Sequence, residues 1–284
     1  MVEERVSSLQ FEGIEQPVTF IDCDELYPLL KSIFRDSSIV QGPRAPEETA
    51  QITLRKTDAG YERSSLWLEA PVLHYDPVDA VCDLTVDLIH AFVTDHPGYL
   101  CLHSAAALFN QGLFLFPSTY RSGKSTLSLH LAFNGVPLFT DDALPVASDG
   151  NVGIATALYP RLRLPLPESV SEGFRNYIRQ RVALRNDRYC YVALDQNEQL
   201  QLGTTVPIEG IVLLDLNQDC EQMVLEQSGR KEVIKEIILR NFARQNKALD
   251  IVERIYAIVD KAECYRLTYA DPDQAAKLLI KHFH

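Results

Sequence analysis

Three groups of residues have the types and spacing to do chemistry together. Gly123-Lys124-Ser125-Thr126 follows the apolar run Leu113-Phe114-Leu115-Phe116 and opens a segment with one apolar face, a pattern that predicts strand, tight loop and helix start. Such a junction aims backbone N–H groups and the positive end of a helix dipole at one point, which is how a phosphate is cradled. Lys124 has the reach for β- and γ-phosphates, and the Ser125 hydroxyl can ligate Mg²⁺. The candidate nucleotide-binding stretch is Ser118, Thr119, Tyr120, Arg121, Ser122, Gly123, Lys124, Ser125 and Thr126. It departs from G-x-x-x-x-G-K-[ST] at Ser118, where the pattern has a glycine. Asp141-Asp142 closes the next apolar strand, and phosphoryl transfer uses one carboxylate for Mg²⁺ and another to take a proton from the attacking hydroxyl. His103, on an apolar strand, precedes Lys124 by 21 residues, and Asp141 follows it by 17.

The elements that must position these groups can be read around them. Asp76 as N-cap with Pro77 behind it starts a helix whose apolar stripe runs from Val78 to Phe92. Residues 99–109 then read as a buried strand that turns at Asn110-Gln111-Gly112 into the strand leading to the loop. Downstream, strands are expected at 144–146, 152–154, 158–164, 208–216 and 264–269, and helices at 232–242, 248–259 and 272–283. Upstream, 18–21 reads as a strand, 24–34 as a short helix, and 52–54 and 61–68 as a hairpin across 57–60. Arg161, Arg163, Arg175, Arg179, Arg181, Arg185 and Arg188 make one basic segment, expected to be mostly a solvated helix face; the alternative is that one or two of these arginines face a nucleotide or phosphorylated product.

Composition narrows the function classes. The chain has 284 residues, 46% of them hydrophobic, and a net charge of −12, which argues against a nucleic-acid partner. Its start lacks the apolar stretch of a secretory signal and no apolar run is long enough to span a bilayer, so no membrane is expected and the cytoplasm is the expected compartment. Six scattered cysteines without C-x-x-C spacing read as reduced thiols.

With the strand Leu102-His103-Ser104-Ala105-Ala106, the Ser122-Gly123-Lys124-Ser125-Thr126 loop and Phe139-Thr140-Asp141-Asp142 in this order, residues 75–284 resemble the catalytic domain of the HPr kinase/phosphorylase family, and more closely the kinases related to it. A terminal Tyr265-x-Leu267-x-Tyr269 strand and helix is shared with that group. The resemblance implies an α/β fold, a mixed-sheet core of the HPr kinase and phosphoenolpyruvate carboxykinase type, with residues 76–284 as catalytic domain; residues 1–75 read by themselves as a small α+β scaffold or substrate-docking domain. It implies an ATP- and Mg²⁺-dependent kinase acting on a hydroxyl, a serine in a peptide or protein or else a small molecule such as free serine. Lys124 would hold the β/γ-phosphates, Ser125 with Asp142 the Mg²⁺, Asp141 would be the base, and His103 would orient Asp141 or meet the phosphate. A homo-oligomer is implied too, since the family forms rings. The first 75 residues do not match the family's regulatory domain, and its phosphorolysis signature is absent. A module that holds a nucleotide without transferring phosphate stays open, motivated by the bulk of Tyr120 and Arg121 beside Ser118.

Overall fold

The computed structural model describes residues 4–35, 39–42, 50–117, 122–148, 151–168, 170–242 and 247–284. It is a mixed α/β structure. In chain order the first elements are β1 (Val6–Gln10), β2 (Val18–Ile21), α1 (Leu26–Ser32), β3 (Val40–Gln41), β4 (Ile52–Thr57), β5 (Gly60–Ser65) and β6 (Val72–His74), whose strands form one sheet in the order β3-β1-β2-β4-β5-β6. α1 is shorter than the 24–34 expected. Asp24 is held by the Arg5 guanidinium at 2.8 Å instead of capping the helix, and Phe34 bridges to Leu158.

Next come α2 (Pro77–Asp95), β7 (Leu100–Phe109), β8 (Gly112–Pro117), α3 (Lys124–Phe133), β9 (Leu138–Thr140), β10 (Ala143–Val146), β11 (Val152–Ile154), β12 (Arg161–Arg163), α4 (Glu172–Arg179), β13 (Val182–Arg185), β14 (Tyr189–Val192), β15 (Thr205–Leu216), β16 (Val224–Gln227), α5 (Arg230–Ile238), α6 (Ala248–Lys261), β17 (Glu263–Tyr269) and α7 (Pro272–Phe283). The large sheet runs β11-β10-β7-β8-β15-β17-β16, with β9 also on β7 and β11 also on β15. β8, β15 and β17 are mutually parallel, while β7 is antiparallel to β8, β9 and β10. The basic segment is not one helix face: Arg161 and Arg163 lie on β12, Arg175 and Arg179 on α4, and Arg185 on β13.

α2 begins as the sequence implies, with Asp76 accepting from the Val78 and Asp79 amides and Pro77 at its first turn. One of its faces shares a hydrophobic cluster with the first sheet, where Val78, Val81, Leu84 and Leu88 join Leu9, Phe20, Leu30 and Leu54. A division of the chain at residue 76 would cut through this cluster. Another cluster places α3, α4 and α7 on one side of the large sheet, and a further one places α5 and α6 on the other. Among the described residues no helix is long and apolar enough to cross a membrane.

Candidate active site

Three parallel strands end at the start of α3. β8 stops at Pro117, β15 at Leu216 and β17 at Tyr269, and the carboxyl ends of parallel strands are where α/β sheets hold ligands. Gly123 is the N-cap of α3 with φ of 82°, a left-handed conformation that suits glycine. A Cβ there would also sit 2.7 Å from the Tyr269 hydroxyl. That hydroxyl, on a fully buried side chain, donates to the Ser122 carbonyl at 3.0 Å and fixes the residue entering the helix. Ser118, Thr119, Tyr120 and Arg121, expected to complete the cradle, lie outside the described residues.

Asp141 and Asp142 fall in the break between β9 and β10, two strands that both pair with β7. The Thr140 hydroxyl donates across the break to the Ala143 carbonyl at 2.8 Å. His103 is directly opposite Ala143, and the Ser104 amide donates to the Asp142 carbonyl at 3.2 Å. Register thus sets His103 Nδ1 3.4 Å from Asp142 Oδ1, and Arg161 Nη2 is 4.0 Å from the other Asp142 oxygen. Lys124, Ser125, Thr126, Ser122, Gly123, His103, Asp141 and Asp142 all line one cavity of about 530 Å³, together with Arg161 and Arg163.

The two aspartates have different surroundings. Asp141 is only 5% exposed; its Oδ2 accepts from the Arg161 amide at 3.2 Å, and its Oδ1 has no hydrogen-bond partner among the described residues. Burial first, then the Asp142 charge, pushes its carboxyl up to about 6, while the Ser125 hydroxyl, the Arg161 amide and Lys124 pull the other way. Lys124, 8% exposed, is held below its ordinary value, by burial first and then by Arg240 and Arg163, against the pull of both aspartates. His103 is likewise shifted down, by burial and by Lys124, Arg240 and Arg161, with Asp142 opposing. The resemblance implies His103 beside Asp141 or the phosphate; here its Nδ1 meets Asp142.

An orphaned, buried carboxylate oxygen beside a hydroxyl and an ammonium fits a divalent cation brought in with phosphate. Among the described residues no group of three or more His, Cys, Asp or Glu could hold a metal alone. That is compatible with Mg²⁺, which takes one or two carboxylates and completes its shell with water and phosphate oxygens. The cationic side chains around the cavity give an acidic protein a local field suited to a polyanion.

Arg240 escapes the sequence reading. The helix expected over 232–242 ends at Ile238, and the chain then lies on β7: Asn241 bridges Leu102, the His103 amide donates to the Arg240 carbonyl at 2.7 Å, and the Phe242 amide to the Cys101 carbonyl at 2.8 Å. This strip fills the sheet position that β8 vacates where it turns into the loop, and the Phe242 ring packs edge-on against His103 with centroids 5.6 Å apart. No local spacing in the sequence announces it.

No family model and no curated protein matches the sequence. Among solved structures, the chain is similar to the Hpr(Ser) kinase/phosphatase from Coxiella burnetii at 12% identity and a TM-score of 0.32, over 64% of this chain and 95% of that one. The likeness is a distant structural relationship.

Proposed function

We propose that this chain is a Mg²⁺- and ATP-dependent phosphotransferase that moves the γ-phosphoryl group to a hydroxyl, on a P-loop core of the HPr kinase type. The observation that carries the reading is that Asp141, with its partnerless buried oxygen, shares one cavity with Ser125 and Lys124 of the first turn of α3. In this reading Lys124 and the N–H groups of the first turn bind the β- and γ-phosphates, and Arg161 and Arg163 hold phosphoryl oxygens from the opposite wall. Ser125 and Asp141 would hold Mg²⁺, which when bound offsets the charge of the phosphates.

Asp142 and His103 are then the pair that handles the proton. The acceptor oxygen forms a bond to the γ-phosphorus, the bond to the β-phosphate oxygen breaks, ADP leaves, and the hydroxyl proton passes to Asp142. His103, 3.4 Å away, orients that carboxylate. A serine of a peptide and a small alcohol are both acceptors that this chemistry serves. The half-exposed Asp142, not the buried Asp141, is the carboxylate that an incoming hydroxyl can meet.

Incubation with labelled ATP, Mg²⁺ and an acceptor panel tests this. Lys124→Ala is expected to lower turnover by roughly 10²–10³-fold. Asp141→Asn should raise the Mg²⁺ concentration needed, whereas Asp142→Asn should lower kcat at unchanged Mg²⁺ dependence. Equal turnover in the wild type and Lys124→Ala would sink the proposal. Nucleotide binding without transfer to any acceptor would leave a regulatory module in its place.

A further inference from the structure

A second cavity, of about 300 Å³, adjoins the polar one. Cys101 faces Pro145 across the β7–β10 ladder as His103 faces Ala143, so all four project on the same face of the sheet. Cys101, Ala143 and Pro145 line the second cavity and His103 the first. α2 roofs both: Thr85 touches the two of them, and Leu88, Ile89 and Phe92, on the same helix face, continue over the second. Leu158 is the other shared wall.

The second cavity is mainly apolar, with Glu12 and Tyr99 as the polar side chains of its wall besides three whose groups are turned away. The Thr85 hydroxyl is turned onto the Cys82 carbonyl at 2.7 Å, the His96 Nδ1 onto the Phe92 carbonyl at 2.8 Å, and the Thr156 hydroxyl onto that of Thr140 at 3.3 Å. The cavity is partly open to the surface, so a ligand can enter it. Its size falls at the lower end of small-molecule sites, and its neighbour carries the charged groups.

We infer that this cavity holds the apolar body of the phosphoryl acceptor, so that the acceptor is an alcohol whose hydroxyl is carried on an aliphatic or aromatic group. The inference rests on the phosphotransferase reading and adds the acceptor's chemical class. The hydroxyl end reaches Asp142 beside His103, and the body lies along β10 under α2. A polar acceptor such as free serine would leave the cavity unfilled and gain nothing from it.

Straight-chain alcohols from ethanol to octanol, at fixed ATP and Mg²⁺, are the probe, with the phosphate ester read by phosphorus NMR. The ratio kcat/KM is expected to climb about fourfold per added methylene until the cavity is full. Ala155→Phe and Leu202→Trp, whose positions line only the apolar cavity, should flatten that series and leave ethanol turnover as it was. Leu202 is half-buried, which keeps its variant a test if the buried Ala155→Phe does not fold. Equilibrium dialysis with labelled octanol and no nucleotide gives a second readout, with one site lost in both variants. A flat series, octanol binding that survives both variants, or a serine peptide without apolar neighbours outrunning every alkanol would overturn the inference while ATP-dependent turnover stands. Octanol bound at this site with no ester from any acceptor would overturn the phosphotransferase reading, and the acceptor role with it.

Discussion

Two buried carboxylates, Asp87 and Asp141, are treated in opposite ways. Asp87 on α2 is 2% exposed, and both of its oxygens are met: Arg63 on β5 makes an ion pair with one, and the Ser65 hydroxyl donates to the other at 3.0 Å. Asp141 is 5% exposed and has one oxygen bonded to an amide and one with no partner among the described residues. The protein thus has the means to complete a buried charge and does so where α2 is fastened to the first sheet. At Asp141 it leaves the charge incomplete, beside a hydroxyl and a lysine. A finished polar cluster specifies structure, and an unfinished one marks where something from outside belongs.

The comparison can be broken most severely at Asp87. Removing one partner of a buried ion pair strands the other, so Asp87→Ala is expected to destabilise the fold by about 3–5 kcal/mol, leaving Arg63 buried without its counter-charge. Replacing the pair together, as Arg63→Met with Asp87→Leu, should cost far less. Urea denaturation of the three variants reads the difference. If Asp87→Ala cost no more than the double replacement, the claim that this cluster is a completed structural pair would fail.

Asp141 should respond with the opposite sign. A carboxyl raised from 3.8 to about 6 binds its proton more tightly folded than unfolded. Its contribution therefore favours the fold below about pH 4 and is lost as the pH rises through about 6. Asp141→Asn is accordingly expected to be more stable than the wild type at pH 7, by about 3 kcal/mol, with the gap closing toward pH 4. Denaturation of both proteins across pH 4–8 measures it. A variant less stable than the wild type at pH 7 would mean that Asp141 is already paired in the folded protein. Saturating Mg²⁺ with nucleotide should narrow the gap at pH 7, because ligand binding stabilises the wild type by mass action.

How much of this was legible beforehand follows from which contacts are local. The start of α2 was, since Asp76, Pro77 and the apolar stripe act within one or two turns, and so was the hairpin closed at Asn110, a non-glycine at φ of 52°. β1 was not, because Val6–Gln10 carries two serines where an alternating apolar pattern was sought, and its partner strands supply the register. The candidate residues were found by type and spacing, yet their pairing was not. Whether His103 meets Asp141 or Asp142 depends on Ala143 lying opposite His103 in the β7–β10 ladder, a tertiary register that spacing along the chain does not encode. Arg240 was invisible for the same reason, since its place follows from the bridge between Leu102 and Asn241.

The smallest change that sharpens the contrast is Tyr269→Phe. Tyr269 is a finished contact inside the unfinished site: its hydroxyl meets the Ser122 carbonyl and lies 2.7 Å from where a Cβ at position 123 would sit. Removing the hydroxyl leaves a buried carbonyl unmet, a cost of about 1 kcal/mol in stability or somewhat more. The functional effect should be selective. Ser122 leads into Gly123 and Lys124, so, on the proposed phosphotransferase reading, a loosened Ser122 would disturb how phosphates are held and leave the Asp142–His103 pair untouched. The KM for ATP is therefore expected to rise several-fold with kcat nearly constant, read from initial rates at varied ATP. A fall in kcat at unchanged KM would instead link Tyr269 to proton transfer, and the division between a structural anchor at the loop and an open site beside it would not hold.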